Sequence, residues 1–415
     1  MGTFCARTFH AMVAGKVEQT GFEYLIETSK RAGYPRGGVP EVLTSGTRSV
    51  AQRTRSTKAY RLKPTPSVDG VYRKPPRLRR GDTIAVLSPS AGMPYRFPHV
   101  FDNGLRVLRE TLGFEVKEFP TTRASPDLLY RHPEWRARDI ERAIRAPEVK
   151  AIFASIGGDD SIRVLPFLDP AVFGLKPKIL MGYSDTTTLL TFANQRGWVT
   201  MHGPSIMAGI SQMGEFPEAF RKHLETVLMA GPEEYEYRGY RRYSEGYPDF
   251  ADPRNVGKTK PIHRDSGWHW LQGREPTRGR LFGGCFEVLV MLNGTPYWPP
   301  RKFWTGRVLF METSEEKPPP FEVKYFLRTL GMQGVFDRIP ALLFGRARGY
   351  NVQEKRELDR LVVQVVGNEF RHPEIPIVTN MDFGHTDPQF VLPLGVGVEV
   401  DPVARTIRLL ESAVV

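Results

Sequence analysis

The chain has 415 residues, room for two domains of ordinary size, and its 40% hydrophobic and 25% charged residues exclude wholesale disorder. The formal charge is +12, yet residues 1–80 hold 16 Lys/Arg against 5 Asp/Glu, so the body is nearly neutral and specific nucleic-acid binding is not expected. No apolar run reaches the roughly 18 residues of a membrane span, and two cysteines, Cys5 and Cys285, cannot build a disulfide framework; a cytoplasmic setting is expected.

Residues 1–74 read as a basic, disordered extension, rich in Gly, Pro, Ser, Thr and Arg from Gly33 onward. Glu18, Glu23 and Glu27 count against a transit peptide, and no secretory signal pattern precedes them. From Gly81 strand and helix signals alternate. Strands are predicted at 83–88, 114–119, 150–155 and 178–183, with helices near 98–112, 133–146, 161–168 and 185–196. In the first helix Leu105, Leu108 and Leu112 share a face. This is an α/β pattern, and residues 75–231 are expected to form a parallel-sheet domain covered on both faces. The polar, aromatic stretch 232–275 reads as a linker or lid. Residues 276–415 repeat the alternation as a smaller C-terminal α/β domain, with strands at 279–282, 306–312, 341–346 and 376–380 and a final pair near 396–400 and 405–410.

Ligands of parallel sheets bind beyond the carboxyl ends of the strands, so chemistry is sought in the post-strand loops. In IFASIGGDDSIRVL a strand runs into Gly157–Gly158 and then Ser161, a sharp turn that could lift a serine above the sheet; Ser161 or Asp160 could equally be a helix cap. In ILMGYSDTT, Ser184 and Asp185 follow Gly182 and read as caps or substrate contacts, and His202 precedes Gly-Pro. Glu312 ends the strand GRVLFME, and His385 follows Gly384 in the loop DFGHTDP. A serine nucleophile needs an imidazole base, and the imidazole needs an acid on its other nitrogen; these three loops supply that set. There is no HExxH, no Cys/His metal spacing, no P-loop and no GxGxxG, so neither metal nor cofactor is expected. Asp159, Asp160 and Asp185 could hold Mg²⁺ only if the fold gathered them.

Taken together, GDTIAVLSPS (81–90), IGGDDS (156–161), GYSDTT (182–187), HGP (202–204), GWHWLQG (267–273), GRLFGGCFEVL (279–289), LFMETSEE (309–316) and DFGHTDP (382–388) resemble the LD-carboxypeptidase family of serine peptidases from about Arg80 to the C-terminus. The resemblance implies two α/β domains with the site at their interface, a metal-independent, cytoplasmic enzyme, and a homodimer. It places the nucleophile on Ser161, the triad acid on Glu312 with Glu287 as a rival, and the base on His385. Gly158 and Ile162 would supply oxyanion amides, with Ser184, Asp185, Trp268 and Trp270 near the substrate. Cys285 stands where relatives often carry Asn. One branch cuts the L,D bond of a muropeptide tetrapeptide; another, resembling microcin C self-immunity proteins, hydrolyses a peptidyl-nucleotide conjugate. The SDTT, ETSEE and Trp-rich wording is closer to the second. From a different class, a two-domain protein that binds such a conjugate without cutting it also fits the cleft.

Overall fold

The computed structural model describes residues 72–415; the extension read over 1–74 lies, except for its last three residues, outside the described residues. Five strands open the fold: β1 (Thr83–Leu87), β2 (Glu115–Glu118), β3 (Val149–Ala154), β4 (Ile179–Gly182) and β5 (Thr200–His202). Short strands β6 (Tyr235–Glu236), β7 (Arg242–Ser244), β8 (Ile262–Arg264) and β9 (His269–Gln272) follow. Then come β10 (Thr277–Cys285), β11 (Arg307–Glu312), β12 (Ala341–Gly345) and β13 (Ile377–Met381), and the chain closes on β14 (Leu392–Leu394), β15 (Gly397–Asp401) and β16 (Thr406–Leu409).

Two mixed sheets carry a two-domain α/β fold. The first has the order β14-β5-β4-β3-β1-β2, parallel from β2 to β5. Its central strands are mostly apolar, β4 at every position and β3 at all but the exposed Lys150, as strands covered on both faces must be, whereas the edge strand β2 reads EVKE and exposes its charges. Helix Pro133–Arg145 buries Ala137, Ile140 and Ile144, one face of a 3.6-residue period, over this sheet. The chain runs from β1 outward to β2 and returns past β1 to β3, which opens a crevice at the carboxyl ends of β1 and β3. The second sheet has the order β6-β16-β15-β10-β11-β12-β13-β9, parallel only over β10 to β13.

Three expectations change. The first sheet is not wholly parallel, because β14, from the far end of the chain, pairs antiparallel with β5. The segment 161–168 is a 3-10 turn, Ser161–Phe167, rather than an α-helix; Pro166 inside it has no N–H to continue an α ladder. The stretch 232–275 is built into the fold as well as linking it, since β6 and β9 form both edges of the second sheet and β7 pairs with β8.

The sheets meet across helix Thr187–Asn194, all eight residues of which are buried. The contact is close because Gly284 has no side chain: a Cβ there would lie 2.3 Å from Thr187 Cγ2. Thr187 Oγ1 accepts from the Cys285 amide at 3.1 Å. This seam lies directly behind the loops that carry the candidate chemistry. Among the described residues no helix is long and apolar enough to cross a membrane.

Candidate active site

The loops after β1, β3 and β4 are tied together by one carboxylate. Asp185 is fully buried; its Oδ2 accepts from Ser90 Oγ at 2.5 Å and from the Ser161 amide at 2.8 Å. Burial pushes the Asp185 carboxyl up, and these donors pull it back only in part. Ser161 sits inside this knot, 1% exposed. Its Oγ donates to the Asp185 carbonyl at 2.7 Å and lies 2.5 Å from Thr188 Oγ1. Ser161 therefore begins a helical turn, as expected, but it is packed inward rather than exposed. Gly158 faces the loop after β1, where a Cβ would lie 2.2 Å from Ser90 Oγ, and Ile162 follows Ser161 into the 3-10 turn.

Ser184 is held quite differently. It stands two residues beyond the end of β4, and a 3-10 turn and then helix Thr187–Asn194 start from it. Its φ of 57° lies in the left-handed region, where a side chain costs roughly 1–2 kcal/mol. A strained residue between a parallel strand and a helix is the geometry that lifts a nucleophile off a sheet. The side chain is half-buried and takes no part in the Asp185 knot. Gly157 leaves room for it, since a Cβ at Gly157 would lie 2.7 Å from Ser184 Oγ.

The second sheet contributes the other groups. Glu312, at the end of β11, is fully buried, and its Oε2 lies 2.7 Å from His385 Nδ1. His385 arrives on the loop after β13 through Gly384, whose φ is 96° and where a Cβ would lie 2.5 Å from Glu312 Oε2. The ring of Tyr183, the neighbour of Ser184, packs edge-on against the His385 ring at 4.9 Å, which joins the β4 loop of one sheet to the β13 loop of the other. His385 Nε2 is occupied by Glu315 Oε2 at 3.0 Å. Burial opposes a charged imidazole at His385, but Glu312 and then Glu315 outweigh it and hold the pKa up to about 10. Glu287, the rival acid, points elsewhere: it accepts from the Ser314 amide at 3.0 Å and from Ser314 Oγ at 2.6 Å, fixing the loop that follows Glu312. His202, on β5, is buried, and burial lowers its pKa to about 4.

Trp268 and Trp270 are half-buried and line a cavity of about 700 Å³ with Tyr240, Arg241, Arg242 and Arg264. None of Ser184, Glu312 and His385 is among its lining residues. The link to the site is indirect: Trp268 Nε1 donates at 2.8 Å to Asp382, three residues before His385. The sequence reads Ser184 as a helix cap or a substrate contact and gives no role to Glu315. A usable signal for Ser184 was its distance from the strand, two residues beyond Gly182, whereas Ser161 stands seven beyond Ala154.

A model of the LD-carboxypeptidase N-terminal domain matches residues 84–203, and one of the LD-carboxypeptidase C-terminal domain matches residues 278–400. The chain is 27% identical over 341 residues to the microcin C7 self-immunity protein MccF of Escherichia coli, covering 80% of this chain and 94% of that one. It is 26% identical over 350 residues to a protein of Bacillus subtilis named as a murein peptide carboxypeptidase, covering 82% and 95%. Among solved structures it resembles an MccF-like protein from Streptococcus pneumoniae in complex with AMP, with a TM-score of 0.71, 30% identity and coverage of 79% of this chain and 98% of that one.

Proposed function

The chain belongs to the LD-carboxypeptidase family of peptidases, and we propose that it is a serine hydrolase whose nucleophile is Ser184, with His385 as base and Glu312 as the acid that orients it. The observation that carries this reading is the strained φ of Ser184 at a strand-to-helix elbow, one residue from the ring that packs on His385. Ser161, the nucleophile that the resemblance implies, has its hydroxyl engaged in the Asp185 knot and serves instead to brace the elbow.

With Nδ1–H donating to Glu312, Nε2 is the nitrogen that takes a proton. Substrate must first displace Glu315 from Nε2, and Glu315, 43% exposed at its side chain, borders solvent. His385 then removes the Ser184 proton as Oγ attacks the amide carbonyl. The amide of Asp185, the residue after the nucleophile, and that of Gly158 are the donors assigned to the developing oxyanion, in place of Ile162, which follows Ser161 away from the elbow. His385 returns its proton to the leaving amine, and water resolves the acyl-enzyme by the same relay.

The preferred substrate class is a peptidyl- or aminoacyl-nucleotide conjugate. The likeness to an MccF-like protein solved with AMP supports it, as does the Trp and Arg lining of the lid cavity, which suits a base and an anionic linker. The test is a mass-spectrometric digest of an aspartyl-nucleotide conjugate beside a tetrapeptide muropeptide, with Ser184→Ala as control. Cleavage of the conjugate alone supports the reading, and cleavage of the muropeptide alone moves the chain to the wall-recycling branch. Binding with no cleavage of either would make it a capture protein.

A further inference from the structure

The proton relay employs Glu312 and His385 but leaves two of their buried neighbours unused. Cys285 ends β10 and is in register with Glu312 on the adjacent parallel strand β11, so the two side chains leave the sheet side by side. One ligand atom each from Cys285, Glu312 and His385 falls within 4.8 Å of the others, and all three residues are buried. A second observation points into the same space. Glu312 Oε1, in a fully buried side chain, has no hydrogen-bond partner, and neither ring nitrogen of the buried His202 has one. Oε1 and His202 Nε2 face each other at 4.0 Å, too far for a hydrogen bond. Two metal bonds of about 2.0–2.2 Å at a tetrahedral angle span about 3.3–3.6 Å, so a small inward shift would let one cation bridge that gap.

We propose that Cys285, Glu312 and His385, joined by His202 from the Glu312 side as the cluster contracts, form an inhibitory site for a thiophilic divalent cation of the zinc class. Thiolate, carboxylate and imidazole are the ligand types that zinc takes, and contraction of the Cys285, Glu312 and His385 trio by about 1 Å gives tetrahedral spacing. On binding, the Cys285 thiol proton, held towards Glu287 Oε2 at 3.3 Å, and one proton of the His385 imidazolium pass to solvent as the metal–sulfur and metal–nitrogen bonds form. One thiolate and the Glu312 carboxylate then balance the two positive charges inside a buried site, with Glu287 beside the sulfur. No electron is transferred. Binding follows from the geometry alone; inhibition rests on the relay proposed above, because the cation takes both Glu312 and His385 out of it.

The experiment titrates the full chain with Co²⁺ and reads absorbance, then adds Zn²⁺. One equivalent of Co²⁺ should produce a thiolate-to-cobalt charge-transfer band with the visible bands of four-coordinate cobalt, and Zn²⁺ should abolish both. Cys285→Ser should lose the charge-transfer band and His202→Gln should weaken cobalt binding, while Cys5→Ser, the control for the other thiol, should keep the full signal. Circular dichroism checks each variant for folding. In the hydrolysis assay Zn²⁺ should inhibit the wild type reversibly to a chelator, and Cys285→Ser should need at least tenfold more zinc for the same inhibition. A wild type without the band, or a folded Cys285→Ser that keeps it, overturns the site. Equal zinc sensitivity of the two overturns the inhibitory role. Because the cobalt signal needs no turnover, loss of the hydrolase reading and loss of the metal site are told apart.

Discussion

The difference between Ser161 and Ser184 is one of backbone angle and burial. Ser184→Ala should lower kcat by about 10³-fold or more with the fold intact, because the elbow keeps its strain and loses only the nucleophile. Ser161→Ala should keep turnover within about tenfold and lower stability by about 1–2 kcal/mol, the cost of two lost buried hydrogen bonds, since the Thr188 hydroxyl keeps its bond to the Asp185 carbonyl at 3.2 Å. Steady-state kinetics and urea unfolding of both variants decide it; a dead Ser161→Ala beside an active Ser184→Ala would return the role to Ser161. The two serines were both visible in the sequence, each in a loop after a strand. What was not visible was the 57° φ of one and the four-atom knot around the other, since both depend on where Asp185 points. For the acid, the position of Glu312 at a strand end was legible, and the structure sets it 2.7 Å from the imidazole while Glu287 clamps Ser314. Glu312→Gln should therefore cost about 10³–10⁴-fold in kcat with little change in KM. Glu287→Gln should act mainly on thermal stability, and the reverse pattern would exchange their roles.

Among the elements, the buried parallel strands were the most legible, because strands such as ILMG and ALLFG are apolar at every position and need no partner to be recognised. The antiparallel edges hid in the lid: β6 and β9 are short, polar and half-exposed, and only pairing with β16 and β13 makes them strands. The lid is fastened by Arg346, at the end of β12, which is fully buried. Its Nη2 lies 2.7 Å from Asp382 and 3.0 Å from Asp265 of the lid, and Tyr243 lies 4.4 Å from its guanidinium. Asp382 belongs to the loop that delivers His385, so one cation joins the lid to the base. Arg346→Leu leaves two buried carboxylates facing each other and should destabilise by about 3–5 kcal/mol. It should also expose the chain between Tyr240 and Trp268 to limited proteolysis in the native state. A variant that unfolds at the wild-type urea midpoint and resists the protease would show that the lid is held by its aromatic contacts instead.

For the whole molecule, the alternation of strands and helices announced two α/β units, but not that β14 returns to the first sheet; three residues reading LPL carry no pairing signal of their own. That return is pinned by His223, whose Nε2 accepts from the Val391 amide at 2.7 Å, so the proton sits on Nδ1 and donates to Tyr235 Oη at 2.7 Å. Burial lowers its pKa from 6.5 to about 3. Between those values the unfolded chain binds the extra proton, so this contribution is complete above about pH 6.5 and is lost as pH falls, by at most about 1.4 kcal/mol per unit. In His223→Gln, which cannot titrate, the fall in Tm between pH 7 and pH 5 should shrink; an unchanged fall would place the acid sensitivity elsewhere. The remaining question at this scale is where the folded body starts. Composition put the boundary after residue 74, yet Tyr72 is 3% exposed, with its ring against Gly395 and the Arg307 guanidinium 5.0 Å from it. Arg73 pairs with Trp198 through backbone bonds to Gly197 and Val199, and its guanidinium donates to the carbonyls of Gly174 and Leu175. Composition missed this because one buried ring and one extended residue leave no trace in a polar window. A chain beginning at Val71 should therefore match the full chain in Tm and in turnover. One beginning at Pro75 should lose the buried Tyr72 ring, about 2–3 kcal/mol in urea unfolding, together with the strand-like pairing beside β5. Equal stability of the two shortened chains would show that Tyr72 and Arg73 only rest on the body, whereas a loss already present in the chain beginning at Val71 would assign a docking role to the residues before it.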